Sequence, residues 1–579
     1  MNRFLPFVLM AILACGGKGD NPIEPVVPRS DISSLQPGQF RVLAPADIRN
    51  GIELPNVPDA REFVIIVGNT SNLGDVVANY TVRGNLSAGG IEPELRVASS
   101  LQAPGELDAG AVDLVESPQQ VLEKRVRGFE RRALKFRGAS APWAASGPSF
   151  RRSTQAAAVP VVGEFLDVKI PDPNGPTNNL CNDFIRTRAQ VAAVTARAIL
   201  AVDTLDGPPL SLFTQADFDA IAAEFDNITY PTDEAWFGTP TDIDANQRVI
   251  ILFTGEVNKL TPSGSTGFVG GFFFGGDFFP ATAPPEGCPQ SNQAEIFYLL
   301  APDPTGKYNG NIRLTATVRQ GTRGTIAHEF VHMINAGRRY TGGVARSFEV
   351  SWLDEGLAHM AEDAVGRRVR NFGDLQSLSQ ADIRPNPTDR NDYDAFFFQN
   401  MARLREWMEA PDSASGISSA ADSSLAARGA AWALLRYSAD HFSGGAPRTL
   451  MRALVAGPDT GLTNFRTATR TSLDTVLAGW LVANYADDLN NLPIVEARTQ
   501  YRSYNIRSTL PPVSNGTYPL KVEPVGNAGS LMGTNRTGTG TYYRLAVAAN
   551  AGAKNIKVEG PGGAVVSFPG AHVYVVRVR

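Results

Sequence analysis

Short apolar runs broken by glycine, proline and asparagine open the first long folded stretch of the chain. Phe63-Val64-Ile65-Ile66-Val67 and Val76 to Val82 lie between turn residues and predict the strands of a small β-sandwich-like domain over residues 39–116. The largest block, residues 160–495, mixes periods. Phe184 to Asp203, with Val191, Val194, Ala198 and Leu200 among its apolar positions, predicts a helix. Thr241 to Asn246 is a turn that leads into a buried strand at Arg248 to Phe253. Thr325 to Ile334 is a second helical stretch, with Gly337 placed as its C-terminal cap. After residue 502 the pattern returns to short strands such as Tyr542 to Val547 and Val573 to Val578, a C-terminal β-domain over residues 503–579. The class is α+β, and there are no internal repeats.

Composition changes this picture at three places. The 579 residues carry a net charge of -5, spread thinly, which calls for no nucleic-acid partner. At the start, Arg3 precedes an apolar run from Phe4 to Ala14 that is too short to cross a bilayer. The run ends in Ala14-Cys15-Gly16, which resembles the lipobox of bacterial lipoproteins. That resemblance implies a signal peptide at residues 1–14, an acylated Cys15 as new N-terminus and a Pro- and Ser-containing tether over residues 15–38. The protein is then expected to be exported and lipid-anchored to the bacterial envelope, on the periplasmic or surface face of the outer membrane. An ordinary cleaved signal is the alternative. With Cys15 assigned to lipid, Cys181 and Cys288 remain as an even pair in an oxidising compartment, where a disulfide is expected. Residues 117–159 form a basic linker, with Lys124, Arg125, Arg127, Arg131, Arg132, Lys135, Arg137, Arg151 and Arg152 set against Glu130 between Lys124 and Arg152. A solvated helix accounts for it, and a processing-sensitive segment is the sharper reading.

Two of the five histidines stand in Ala327-His328-Glu329-Phe330-Val331-His332-Met333-Ile334. On a helix, positions i and i+4 lie one above the other, so both imidazoles can reach one metal ion. Glu329 projects beside them, where it can take a proton from a metal-activated water. Zinc needs a third protein ligand and an open position. The metzincin spacing would put glycine at 335 and histidine at 338, but these are Asn335 and Arg338. The other solution is a carboxylate from a returning helix, and Ser351-Trp352-Leu353-Asp354-Glu355-Gly356-Leu357-Ala358-His359 offers Glu355, with His359 four residues further on the same face. Upstream, the aromatic and glycine-rich stretch Gly267 to Phe279 suits a glycine-kinked core strand or a substrate-binding edge strand beside a cleft.

The two motifs, A-H-E-F-x-H-M-I-N and W-L-x-E-G-L-A, look like those of the gluzincin metallopeptidases. Together with Ser291 to Tyr298 they resemble most the hyicolysin-like family of secreted bacterial neutral metallopeptidases, over about residues 160 to 490. The resemblance implies a thermolysin-like catalytic domain with a β-rich lobe and a helical lobe, flanked here by the two β-domains. It implies Zn²⁺ held by His328, His332 and Glu355, with Glu329 as general base and a protein or peptide as substrate. One departure concerns the residue four after the third ligand. Thermolysin-like enzymes carry an aspartate there to orient a zinc histidine; this chain has His359, the candidate for that supporting role. An oxyanion-stabilising group is not singled out among Arg428, Tyr437 and His441. The G-x-M-E-N element of the clan's aminopeptidases is absent, which favours endopeptidase over aminopeptidase. The rival from another class is a non-catalytic envelope lipoprotein with a structural zinc and ligand-binding β-domains; a purely structural site has no need of Glu329.

Overall fold

Arg61–Asn69 is a strand buried on both faces, which is why Phe63 to Val67 is a continuous apolar run rather than an alternating one. In the computed structural model it lies between Thr539–Val547 and Ala571–Arg577, antiparallel to both, with Ile66 opposite Tyr542 on one side and Tyr574 on the other. The structure describes residues 29–72, 76–86, 117–136, 158–205, 213–265, 267–283, 287–341, 345, 347–386, 390–418, 424–525 and 530–579. Cys15 and most of the tether lie outside these residues.

The two ends of the chain therefore build one β-sandwich, where two separate β-domains were expected. One sheet runs in the order Phe40–Leu43, Ala571–Arg577, Arg61–Asn69, Thr539–Val547, Val522–Pro524. The other runs Ser530–Arg536, Val77–Leu86, Lys554–Glu559, Ile52–Leu54. Strand periodicity divides the first sheet's side chains. Phe63, Ile65, Val67, Leu545 and Val573 fill a core shared with Tyr80, Val82, Ile556 and Val558 of the second sheet. Val64, Ile66, Tyr542 and Tyr574 face the other way, into the main core. Pairing between segments hundreds of residues apart leaves no local trace, so the sequence shows the strands but not their union.

A six-stranded mixed sheet holds the second layer, in the order Phe165–Pro171, Phe184–Val194, Ala198–Asp203, Val249–Thr254, Ile296–Leu300, Gly271–Phe273. The stretch 184–203 is thus a hairpin, not the expected helix. Its many alanines are good helix formers, but burial alternates along Phe184–Val194 and the strands pair with a bulge between Val191 and Ala193. Asp226 satisfies the turn, accepting from Thr195 Oγ1 (2.8 Å) and the Arg197 amide (3.2 Å). Gly271–Phe273 is an edge strand, antiparallel to Ile296–Leu300.

Cys181 and Cys288 are joined by a disulfide, with their Cα atoms 5.0 Å apart and a sequence separation of 107. Closing so long a loop restricts the unfolded chain. Replacing both cysteines by serine is expected to remove roughly 2–5 kcal/mol of stability, read as a lower urea midpoint. An unchanged midpoint would show that the bond does not stabilise the protein.

Helices form the rest. We label α1 (Pro118–Phe136), α2 (Thr315–Thr341), α3 (Ser351–Val369), α4 (Phe398–Glu409), α5 (Leu425–His441) and α6 (Leu473–Ala486). The helix α2 continues past Gly337, which therefore does not cap it. A Cβ there would sit 2.7 Å from Thr241 Oγ1 and 3.3 Å from the Phe278 ring, so glycine permits close packing instead. Likewise, a Cβ at Gly356 of α3 would come within 2.8 Å of Leu435 on α5. A buried ionic network fixes the same two helices. Asp363 Oδ1 accepts from Arg367 Nε (3.0 Å) and Tyr504 OH (2.5 Å), and its Oδ2 from Arg436 Nη1 (3.2 Å). Burial alone would raise the Asp363 pKa; the charges of Arg367 and Arg436 hold it below the ordinary aspartate value. The helix α6 ties this lobe to the sandwich, where Tyr542 OH donates to the Leu481 carbonyl (2.8 Å).

Candidate metal centre

Both histidines of the H-E-x-x-H segment lie on one face of α2, with ring centroids 4.8 Å apart. The returning helix α3 brings Glu355 against them. Its Oε2 lies 3.5 Å from His328 Nε2 and its Oε1 lies 3.6 Å from His332 Nε2. One ligand atom from each of the three residues falls within 4.8 Å of the others, and all three side chains are buried. Glu329, beside them on α2, is buried too.

What orients the rings was only partly visible in the sequence. His332 Nδ1 is 2.8 Å from Asp354 Oδ2, and the other oxygen of Asp354 accepts from Asn335 Nδ2 (2.6 Å). Asn335 in turn accepts from Arg339 Nε (3.1 Å), whose Nη2 donates to Glu349 (2.5 Å). His328 Nδ1 is 2.7 Å from Glu362 Oε1. With Nδ1 of each ring turned to a carboxylate, the Nε2 atoms are left facing Glu355, the arrangement in which carboxylates support metal-bound imidazoles.

His359, expected to orient a zinc histidine directly, does something else. Its Nδ1 is 3.0 Å from the same Glu362 oxygen, and its Nε2 is 2.5 Å from Arg403 Nη1 on α4. Glu362, seven residues after Glu355 rather than four, is the group that reaches His328. Two helical turns return a side chain to the same face, so the i, i+7 spacing was the signal available. His328, His359 and Glu362 form a second cluster of possible ligands, but the guanidinium of Arg403 stands against it, and a dication would be repelled there. Burial, Arg403 and His328 push His359 down to about 4 in spite of the Glu362 charge. Its ring is therefore neutral.

His328 moves the other way. Burial alone would lower it, but hydrogen bonds to Glu355 and Glu362 and the charges of Glu362 and Glu329 raise it to about 10. The pocket thus stabilises positive charge at the point where the three candidate ligands converge. Two imidazole nitrogens and a carboxylate suit catalytic zinc, which takes three protein ligands and keeps a position open.

Of the three candidates for oxyanion stabilisation, only Arg428 is here. Its Nη1 lies 3.3 Å from Glu355 Oε2. Tyr437 OH donates to the Arg498 carbonyl (2.8 Å) and His441 Nε2 is 2.8 Å from the Gln500 carbonyl, both structural contacts. Arg428 also forms an ion pair with Glu123 of α1, a residue that the sequence did not single out.

No family model matches the chain. Over 142 residues, 24% of its length, the chain is 30% identical to the neutral metalloprotease ShpI of Staphylococcus hyicus, and the match covers 29% of that protein. This partial relationship and the His-His-Glu grouping together point to a metallopeptidase. The chain matches less than a third of its relative's length, so substrate and cleavage mode do not carry over with it.

Proposed function

We propose that the protein is a zinc-dependent endopeptidase of the gluzincin type that hydrolyses proteins at the bacterial cell envelope. The convergence of His328, His332 and Glu355, each histidine supported by its own carboxylate, is the observation that carries this reading. A bound zinc ion supplies a Lewis acid for the scissile carbonyl and lowers the pKa of water. Glu329 accepts the proton of the attacking water and delivers it to the nitrogen of the departing amine. Asp354 and Glu362 hold the two imidazoles with Nε2 toward the ligand position. The strand Gly271–Phe273, last in its sheet and paired on one side with Ile296–Leu300, is the place where an extended substrate would add as a further strand.

The test is casein hydrolysis by the purified chain. Activity abolished by a chelator and restored by zinc supports the proposal; a metal-loaded, folded protein with no hydrolysis would remove it.

The envelope location rests on the Ala14-Cys15-Gly16 motif. Among the described residues no helix is long and apolar enough to cross a membrane. Cys15→Ser is expected to release the protein from the membrane fraction or to block its maturation. Unchanged membrane association, with no lipid label on the wild type, would exclude acylation as the anchor.

A further inference from the structure

The basic segment before residue 160 contains α1, and α1 reaches the metal centre through Glu123 and Arg428. Its apolar positions Leu122, Val126 and Phe129 are buried in the main core. Phe129 packs against Phe274, tilted at 4.8 Å between centroids, and edge-to-face against Phe279 at 5.9 Å, in the segment that follows the edge strand Gly271–Phe273. At the start of the helix, a Cβ built on Gly267 would be 4.0 Å from the Ser117 side chain, so the contact extends to the beginning of the glycine- and aromatic-rich stretch. Between these contacts Glu123 turns inward. It is buried, it accepts from Gln119 Nε2 (2.9 Å), and it pairs with Arg428, whose other terminal nitrogen is 3.3 Å from the candidate ligand Glu355.

A helix that packs on the segment following the edge strand and sends a carboxylate to the arginine beside a candidate metal ligand stands beside the position at which a substrate strand would add. On the other side of the helix Val121 and Lys124 are exposed. We propose that α1 is an internal occupant of the substrate cleft, an autoinhibitory helix anchored by Phe129 on Phe274 and Phe279 and by Glu123 on Arg428, which must be displaced before a polypeptide can reach the centre. The inference rests on the metallopeptidase reading for the role of the cleft, but the docking itself does not depend on hydrolysis.

Two full-length variants test it. Phe129→Asp places a charge in the apolar contact. Glu123→Ala leaves the packing of the helix intact and removes one end of the ion pair. Each is measured for casein hydrolysis and, independently, for the rate at which a chelator withdraws zinc from the loaded protein. Both rates are expected to rise by at least about tenfold, because loss of a buried charge partner or of an apolar anchor weakens docking by that much or more. A synthetic peptide of residues 117–136, added to Phe129→Asp, is expected to return both rates toward the wild-type values, whereas the same peptide with alanine at position 123 is not. Wild-type rates in Glu123→Ala overturn the proposal, whether or not Phe129→Asp folds. So does failure of the wild-type peptide to slow zinc withdrawal from a folded Phe129→Asp protein. If no form hydrolyses casein while zinc withdrawal responds as expected, the hydrolytic reading falls and the helix remains a gate on the metal centre.

Discussion

Glu329→Gln is expected to cut hydrolysis by about 10²–10⁴-fold, the range for removal of a positioned general base, while metal content and fold stay as they are. Glutamine has nearly the same shape, so the packing of this buried side chain against its neighbours on α2 is retained. Glu329 is outside the His328, His332 and Glu355 grouping, so its charge is not required to hold the ion. Nor should the substitution destabilise the protein. Glu355, Glu362 and Asp354 already crowd this pocket with carboxylates, and removing another negative charge lessens their mutual repulsion in the metal-free state. The decisive pair of measurements is kcat on a peptide substrate and zinc per chain after dialysis. A normal kcat with full zinc would take Glu329 out of the mechanism. A low kcat with zinc missing would mean that the carboxylate holds the ion instead of moving a proton.

The parts of the site that the sequence displays are those separated by helical spacings. His328 and His332 are four apart on one helix, and Glu329 lies between them, so period alone places them together. Glu355 is placed by the motif Trp352 to Ala358 on a returning helix. Asp354 and Glu362 belong to that same helix and were within reach of the same reasoning. Position 359, where thermolysin-like enzymes have an aspartate, holds a histidine here, and the supporting carboxylates come instead from positions 354 and 362. Arg403 and Arg428 come from other helices, at distances in sequence that no spacing rule covers. The fold divides in the same way. Strands such as Arg61–Asn69 and Val249–Thr254 show in their apolar runs. At Phe184–Asp203 the alanine content favours a helix, while the hairpin is fixed by its sheet pairing. The joint sandwich has no local signal, because Ile66 and its partners Tyr542 and Tyr574 lie hundreds of residues apart in sequence.

The remaining large effect concerns which residue completes the ligand set. Glu355 and His359 lie four residues apart on α3, so helix geometry alone permits either, and a three-histidine set is chemically sound for zinc. The surroundings separate them. Glu355 presents both oxygens to the two Nε2 atoms, at 3.5 and 3.6 Å. His359 has one ring nitrogen against Glu362 and the other against the Arg403 guanidinium, and Arg403 cannot give up its charge to admit a cation. Glu355→Ala is therefore expected to leave almost no zinc after dialysis, since only two protein ligands remain. His359→Ala is expected to keep zinc. Glu362→Ala falls between them, at about 10–100-fold weaker zinc binding, as loss of the carboxylate behind a ligating histidine usually costs. The three variants, dialysed together against the same chelator buffer and analysed for metal, give an order that a merely structural role for α3 would not produce. Zinc lost from His359→Ala and kept by Glu355→Ala would reverse the assignment. The centre would then be His328, His332 and His359, the Arg403 contact would have to open on metal binding, and the gluzincin reading would no longer hold.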